Sequence, residues 1–262
     1  MQHRSLFLSD LHLGARACRA GEILEFLNQN HAEKIYLVGD ILDIWHVAQV
    51  YWSRTHDAIL DELERRAAQG VEVIYLPGNH DDALRKGSTL PLRGFTLTET
   101  TLHETADGKK HLVLHGDQCD RRILRWHAIT RIGSRMDAVL RGFDEWLRAK
   151  RGTCHAEETL IEQALKAANG LLSLGNSAEK RLSLLARAVG ADGVICGHSH
   201  KPGLRSHDGI AYANCGDWVD SMTALVEDHN GQLRLTRFTE TRQAQPNASN
   251  TALPPHLAAM RS

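Results

Sequence analysis

A layered α/β sandwich is the fold predicted for this 262-residue chain. Three features point to it. Short β-branched runs alternate with amphipathic helical segments over the first 76 residues. Short polar motifs rich in Asp, Asn and His follow those runs. Beyond residue 205 the strand-like runs follow one another with only turns between them.

Residues 5–9 read as a first strand and lead into Asp10-Leu11-His12. A helical face over residues 22–27 follows, then a strand at 34–38 that leads into Gly39-Asp40-Ile41-Leu42-Asp43. Residues 55–69 place Ile59, Leu60 and Leu63 on one stripe with charge opposite, the period of a helix packed on a core. The strand at 71–76 precedes Gly78-Asn79-His80-Asp81. Strand, helix, strand, helix, strand is the pattern of right-handed crossovers in a parallel sheet. Runs at 111–114 and 193–196 lead into His115-Gly116-Asp117 and Gly197-His198-Ser199-His200. The consecutive runs 210–214, 223–227 and 232–236 are expected to add a second sheet.

Between the fourth and fifth motifs, about residues 121–190, apolar residues recur at helical spacing, which predicts a helical insertion near the motifs. Ser177 is the expected N-cap of its last helix. The main domain is expected over residues 1–242, and residues 243–262, rich in Asn, Ala, Ser and Pro, as a disordered tail.

A net charge of −1 supplies no global field for bulk nucleic-acid binding, and none is expected. The five cysteines are scattered, lack a CxxC pair and read as free thiols. No apolar run approaches the roughly 18 residues that span a bilayer. The first apolar stretch is too short for a secretory leader. A cytoplasmic protein is expected, with peripheral membrane contact left open. Of the 16 histidines, those outside the motifs, such as His31, His56 and His229, read as surface residues.

The five motifs together carry the ligand chemistry of a metal centre. Asp10 and His12 alternate, which predicts that both face one side of a strand end. Asp40 follows Gly39, where the backbone turns without a side chain, and its two oxygens suit a bridge between two ions. Asn79 offers an amide oxygen, and His115, His198 and His200 offer imidazole nitrogens. This mixed set suits two divalent transition ions, such as Mn²⁺, Fe or Zn, better than Mg²⁺. Such a pair activates water and clamps a phosphoryl oxygen. His80 is expected to contact the phosphate or protonate the leaving group, with Asp81 orienting its ring. Asp43, Asp117 and Asp217 are expected to hold ligand imidazoles from behind.

The order D-x-H, G-D-x-x-D, G-N-H-D, H-G-D, G-H-x-H resembles the calcineurin-like metallophosphoesterases over most of residues 5–240. That resemblance implies a four-layer αββα sandwich of two mixed sheets with an inserted helical cap. It also implies one ion held by Asp10, His12, Asp40 and His200, and another by Asp40, Asn79, His115 and His198. Residues 7–14, 36–45 and 115–117 are more closely similar to the UDP-2,3-diacylglucosamine diphosphatase group of lipid A biosynthesis, whose members cleave a UDP-linked diacyl sugar at its pyrophosphate. The sequence departs from the best-known members in carrying His80 where they have Arg. A phosphomonoesterase or phosphodiesterase acting on another small or glycolipid phosphate is therefore the alternative. A non-catalytic scaffold is the alternative of another class.

Residues 121–151 hold nine Arg and Lys against three acids. Arg121, Arg122, Arg125 and Trp126 are expected to bind the anionic and apolar parts of a substrate. A solvated helix face is the alternative. Oligomeric state is left open.

Overall fold

The computed structural model describes residues 1–44, 50–88, 90, 92–119, 178–238 and 257. In chain order the elements are β1 (Gln2–Leu8), α1 (Ala20–Gln29), β2 (His31–Val38), α2 (Arg54–Ala68), β3 (Glu72–Leu76), α3 (Asp82–Arg85), β4 (Phe95–Leu97), β5 (Thr101–Glu104), β6 (Lys110–Val113), a 3-10 turn (Asp117–Cys119), α4 (Ala178–Ala188), β7 (Gly193–Cys196), β8 (Gly203–His207), β9 (Ile210–Asn214), β10 (Thr223–Glu227) and β11 (Leu233–Arg237). Most of the expected insertion, including Arg121, Arg122, Arg125 and Trp126, lies outside the described residues, as does Ser177. The expected tail does too, except for Leu257, which is buried in the core.

Two mixed sheets form among these residues, in the orders β11-β10-β1-β2-β3-β4 and β5-β6-β7-β9-β8. The period of two along each strand explains the layering. Leu6, Leu8, Ile35, Leu37, Val73 and Tyr75 pack outward with Ile23, Phe26, Leu27, Ile59 and Leu63 of α1 and α2. The intervening Phe7, Tyr36, Val38, Ile74 and Leu76 face the second sheet and meet Val113, Ile195 and Ala213. The outer face of that sheet, through Leu112, Val194, Cys196 and Tyr212, buries Leu182 and Ala186 of α4. Helix, sheet, sheet, helix is thus the order of layers. Strands with both faces covered read as continuous apolar runs, which is why they were legible.

The last strands divide differently from expectation. Only β9 joins the second sheet, parallel to β7. β10 returns to the first sheet, antiparallel to β1, and carries β11 with it. A hairpin pattern specifies pairing between its own strands but not the edge it docks on. β10 is buried on both faces, so its partner is decided by tertiary packing. His56 is not a surface residue. It is buried at the N-terminus of α2, where its Nδ1 accepts from Ser53 N–H at 3.1 Å, and burial lowers its pKa to about 4. His111 is likewise buried, within β6. Cys18, Cys119, Cys196 and Cys215 are free, as expected.

Candidate metal centre

β1, β2 and β3 run parallel, as do β6 and β7. Their carboxyl ends carry the five motifs, at the edge where open α/β sheets place ligands. The loops are laced together by backbone bonds. Asp10 N–H donates to Gly39 O at 3.0 Å, His12 N–H to Asp40 O at 3.0 Å, and Gly197 N–H to His115 O at 3.0 Å. The first motif is not extended as expected. β1 ends at Leu8, and Asp10 and His12 lie beyond it with φ of 55° and 48°. Asp40, His198 and His200 share this left-handed backbone, with φ of 54°, 62° and 53°. Five of the seven candidate ligands therefore hold a conformation that costs a non-glycine residue on the order of 1 kcal/mol or more.

Three glycines make room for this. A Cβ on Gly39 would lie 2.2 Å from the His115 ring, and one on Gly78 would lie 2.1 Å from Asp40 Oδ1. One on Gly197 would meet Ser9 Oγ and come within 2.5 Å of Asp10 Oδ2. At each, the backbone of one motif touches a ligand, or a ligand's support, from another.

The side chains converge in three overlapping groups: Asp10, His12 and His200; His12, Asp40 and His80; and Asp40, His115 and His198. Within each group the donor atoms all lie within 4.8 Å of one another. His200 Nε2 is 3.1 Å from Asp10 Oδ1, and His115 Nε2 is 3.3 Å from Asp40 Oδ2. Asn79 sits between Gly78, packed on Asp40, and His80, whose N–H donates to Asp40 Oδ1 at 2.8 Å. Seven buried side-chain atoms among the described residues lack a hydrogen bond of proper geometry, and three of them, Asp10 Oδ1, Asn79 Oδ1 and His115 Nε2, belong to these motifs. Buried polar atoms are almost always paired. Three such atoms at one place, all oxygen or imidazole donors, fit a divalent cation. His115 is set up for this role: its Nδ1–H donates to Val38 O at 2.9 Å, which leaves the Nε2 lone pair for an ion.

The electrostatics favour positive charge. Burial by itself would lower the pKa of His115, but the charges of Asp40, then Asp10 and Asp117, raise it to about 10. The Asp10 carboxylate beside it raises the pKa of His200. Burial opposes ionisation of Asp40, yet His115 and His80 hold its carboxyl well below the usual range.

The expected supporting carboxylates are rearranged. His80 is oriented by Asp43, not Asp81: its Nδ1 lies 3.2 Å from Asp43 Oδ1. That contact raises the pKa of His80. Asp43 Oδ2 also lies 3.6 Å from His12 Nδ1. Asp81 instead accepts from the N–H groups of Ile41, Leu42 and Gly78 and staples the second motif to the third. Burial, then Asp40, raises its pKa to about 6. Asp117 is gripped by Arg85 through both oxygens, at 2.5 and 2.9 Å, rather than by an imidazole. Asp217 caps the N–H groups of Val219 and Asp220 and acts on His200 only through its charge.

Two contributors were missed in the sequence. Ser9 Oγ lies 2.5 Å from Asp10 Oδ2 and 2.6 Å from Val38 O, and its place directly before Asp10 was the available signal. Asn214 Nδ2 donates to Gly197 O at 2.7 Å and holds the fifth motif. It lies inside a strand run and carries no such signal.

A two-sheet sandwich that gathers carboxylates and imidazoles at its strand ends defines a metal-dependent phosphoester hydrolase. The model of the calcineurin-like phosphoesterases matches residues 3–202, and the chain belongs to that family. Similar proteins include the UDP-2,3-diacylglucosamine hydrolase of Neisseria meningitidis serogroup B, 25% identical over 232 residues, which cover 84% of this chain and 92% of the relative. The protein of that name from Xanthomonas campestris pv. campestris is 26% identical over 242 residues, 87% of this chain and 96% of the relative. The solved structure of Yfce, a phosphoesterase from E. coli, aligns with 90% of this chain and 99% of its own at 14% identity, with a TM-score of 0.43. No helix among the described residues is long and apolar enough to cross a membrane.

Proposed function

We propose that this enzyme cleaves the pyrophosphate of UDP-2,3-diacylglucosamine, releasing UMP and a lipid phosphate. The observation that carries the metal part is the trio of unpaired buried donors at Asp10, Asn79 and His115. In this reading Asp10, His12, Asp40 and His200 hold one divalent ion, and Asp40, Asn79, His115 and His198 hold a second. Mn²⁺ is the working choice. When bound, the ions supply charge neutralisation and an acidified water.

The chain's own groups do the rest. Asp40 stands between the two ligand sets, since it belongs both to the group with His12 and to the group with His115. His80, held by Asp43 through Nδ1, donates to a phosphoryl or leaving-group oxygen. The contact with Asp43 raises its pKa, which favours the protonated ring. Arg121, Arg122, Arg125 and Trp126 remain the proposed contacts for the diphosphate and acyl groups. Such a substrate would draw the enzyme to the inner face of the membrane as a peripheral protein. The half-buried imidazole of His80 favours a second reading, hydrolysis of simpler phosphate mono- or diesters.

The test is a Mn²⁺-loaded assay that follows UMP release from UDP-2,3-diacylglucosamine beside p-nitrophenyl phosphate and its bis ester. Efficient UMP release with weak turnover of the simple esters is expected. Intact lipid with rapid ester hydrolysis would remove the proposed substrate and favour the second reading.

A further inference from the structure

Arg85 ends α3, six residues past Asn79, and no motif contains it. Its guanidinium makes a fork between two of the metal-centre loops. Nη2 donates to Pro77 O at 2.6 Å, just before Gly78-Asn79. Nη1 and Nη2 donate to the two oxygens of Asp117, two residues past His115. Nε donates to Glu99 Oε2 at 3.0 Å. Glu99 Oε1 accepts from Gln118 Nε2 at 2.7 Å, and Gln118 Oε1 accepts from Gly116 N–H at 3.0 Å. Both routes from Arg85 therefore end on the His115-Gly116-Asp117 loop. The side chain is mostly buried, at 13% exposure, so the fork is held in a low-dielectric setting where a planar bidentate contact fixes geometry.

The loops joined in this way carry Asn79 and His115, two of the three unpaired buried donors. The contacts of Arg85 include none to the loops of Asp10, His12 or His200. We infer that Arg85 is a positioning residue for one ion of the pair: it sets the spacing between Asn79 and His115 and hence the affinity of the ion they share, and it leaves the ion at Asp10, His12 and His200 alone. This rests on the two-ion reading above. An ion pair with only a structural role would lower stability without distinguishing the two ions.

The experiment is Mn²⁺ titration of the metal-free full chain, followed by calorimetry and by the spin-coupled electron paramagnetic resonance signal of a paired centre. Wild type, Arg85→Met and Arg85→Lys are compared. The wild type should bind two ions. Arg85→Met should weaken one ion by about 10-fold or more, keep the other within about twofold, and lose the coupled signal at limiting Mn²⁺. Arg85→Lys, which keeps the charge but not the fork, should fall between. If Arg85→Met does not fold, Asp117→Asn, which keeps the shape of the acceptor, carries the same test. Unchanged affinities in the variants beside two ions in the wild type would overturn the inference and leave the two-ion reading intact. Fewer than two ions in the wild type would overturn both.

Discussion

Two places in this molecule bury a carboxylate among polar neighbours between or beside the same strands, and they are finished in opposite ways. At the end of β10, opposite Ser5 of β1, Glu227 is fully buried and both its oxygens are met. Its Oε1 accepts from Arg4 at 2.6 Å and from Ala106 N–H at 2.8 Å. Its Oε2 accepts from Ser5 at 2.7 Å and from His103 Nε2 at 2.9 Å. With Nε2–H donating to the carboxylate, His103 Nδ1 takes the Tyr36 hydroxyl proton at 3.0 Å. This chain of bonds ties β5 of one sheet to β1, β2 and β10 of the other. At the carboxyl ends of β1, β3 and β6, Asp10 Oδ1, Asn79 Oδ1 and His115 Nε2 lack a hydrogen-bond partner, and Asp10 sits on left-handed backbone. The first cluster is complete as protein, whereas the second is complete only with a cation. Satisfied buried networks stabilise and specify a fold, while unmet ones mark a site.

The sharpest way to break this contrast is to remove the carboxylate from each place. Asp40→Ala should cut phosphoester hydrolysis by at least about 1,000-fold, roughly 4 kcal/mol of transition-state stabilisation, and lower the Mn²⁺ stoichiometry below two. Retained activity would refute a central role for Asp40. Glu227→Ala should do the reverse. It strands Arg4 and His103 and is expected to cost about 3–5 kcal/mol in urea unfolding, while activity per folded molecule stays near wild type. If activity fell while stability held, the division between the two places would be wrong.

Acid sharpens the comparison. Burial opposes ionisation of Glu227, but His103, Ser5 and Ala106 N–H hold its pKa at about 2 against an ordinary 4.5. A depressed carboxyl contributes stability above its unfolded value and loses it as pH falls through the folded one. The difference in unfolding free energy between wild type and Glu227→Gln should therefore shrink from about pH 4.5 toward 2, by on the order of 3 kcal/mol. A flat difference would show that the network is not ionic. The smallest effect is ligand linkage. Mn²⁺ at about 100 times its dissociation constant should raise stability by about 2.7 kcal/mol for each ion held, over protein in EDTA. The same increment is expected in Glu227→Gln, because that cluster takes no part in holding the ion.

What could be read from residues alone follows from how each part is encoded. The candidate ligands lie in short contiguous strings after apolar runs, so Asp10, Asp40, Asn79, His115 and His198 could be picked out as candidates, and the sandwich followed from the same runs. Their supports did not. Asp43 rather than Asp81 meets His80, and Arg85 rather than an imidazole meets Asp117, because loop geometry decides those pairs and leaves no periodic trace. The left-handed backbone at Asp10, His12 and Asp40 was equally hidden, since only glycine advertises that conformation by its identity. The docking of β10 against β1 depends on register across more than 200 residues, beyond any local pattern.

That long reach has a consequence for how the protein matures. Ligands are drawn from position 10 to position 200, and β1, which presents the earliest of them, is flanked on one side by β10. A chain that stopped short of β7 would have no His198 or His200 to face Asp10 and His12, and one that stopped after β9 would leave β1 at an open sheet edge. The candidate metal centre therefore comes together only after the chain has passed residue 200.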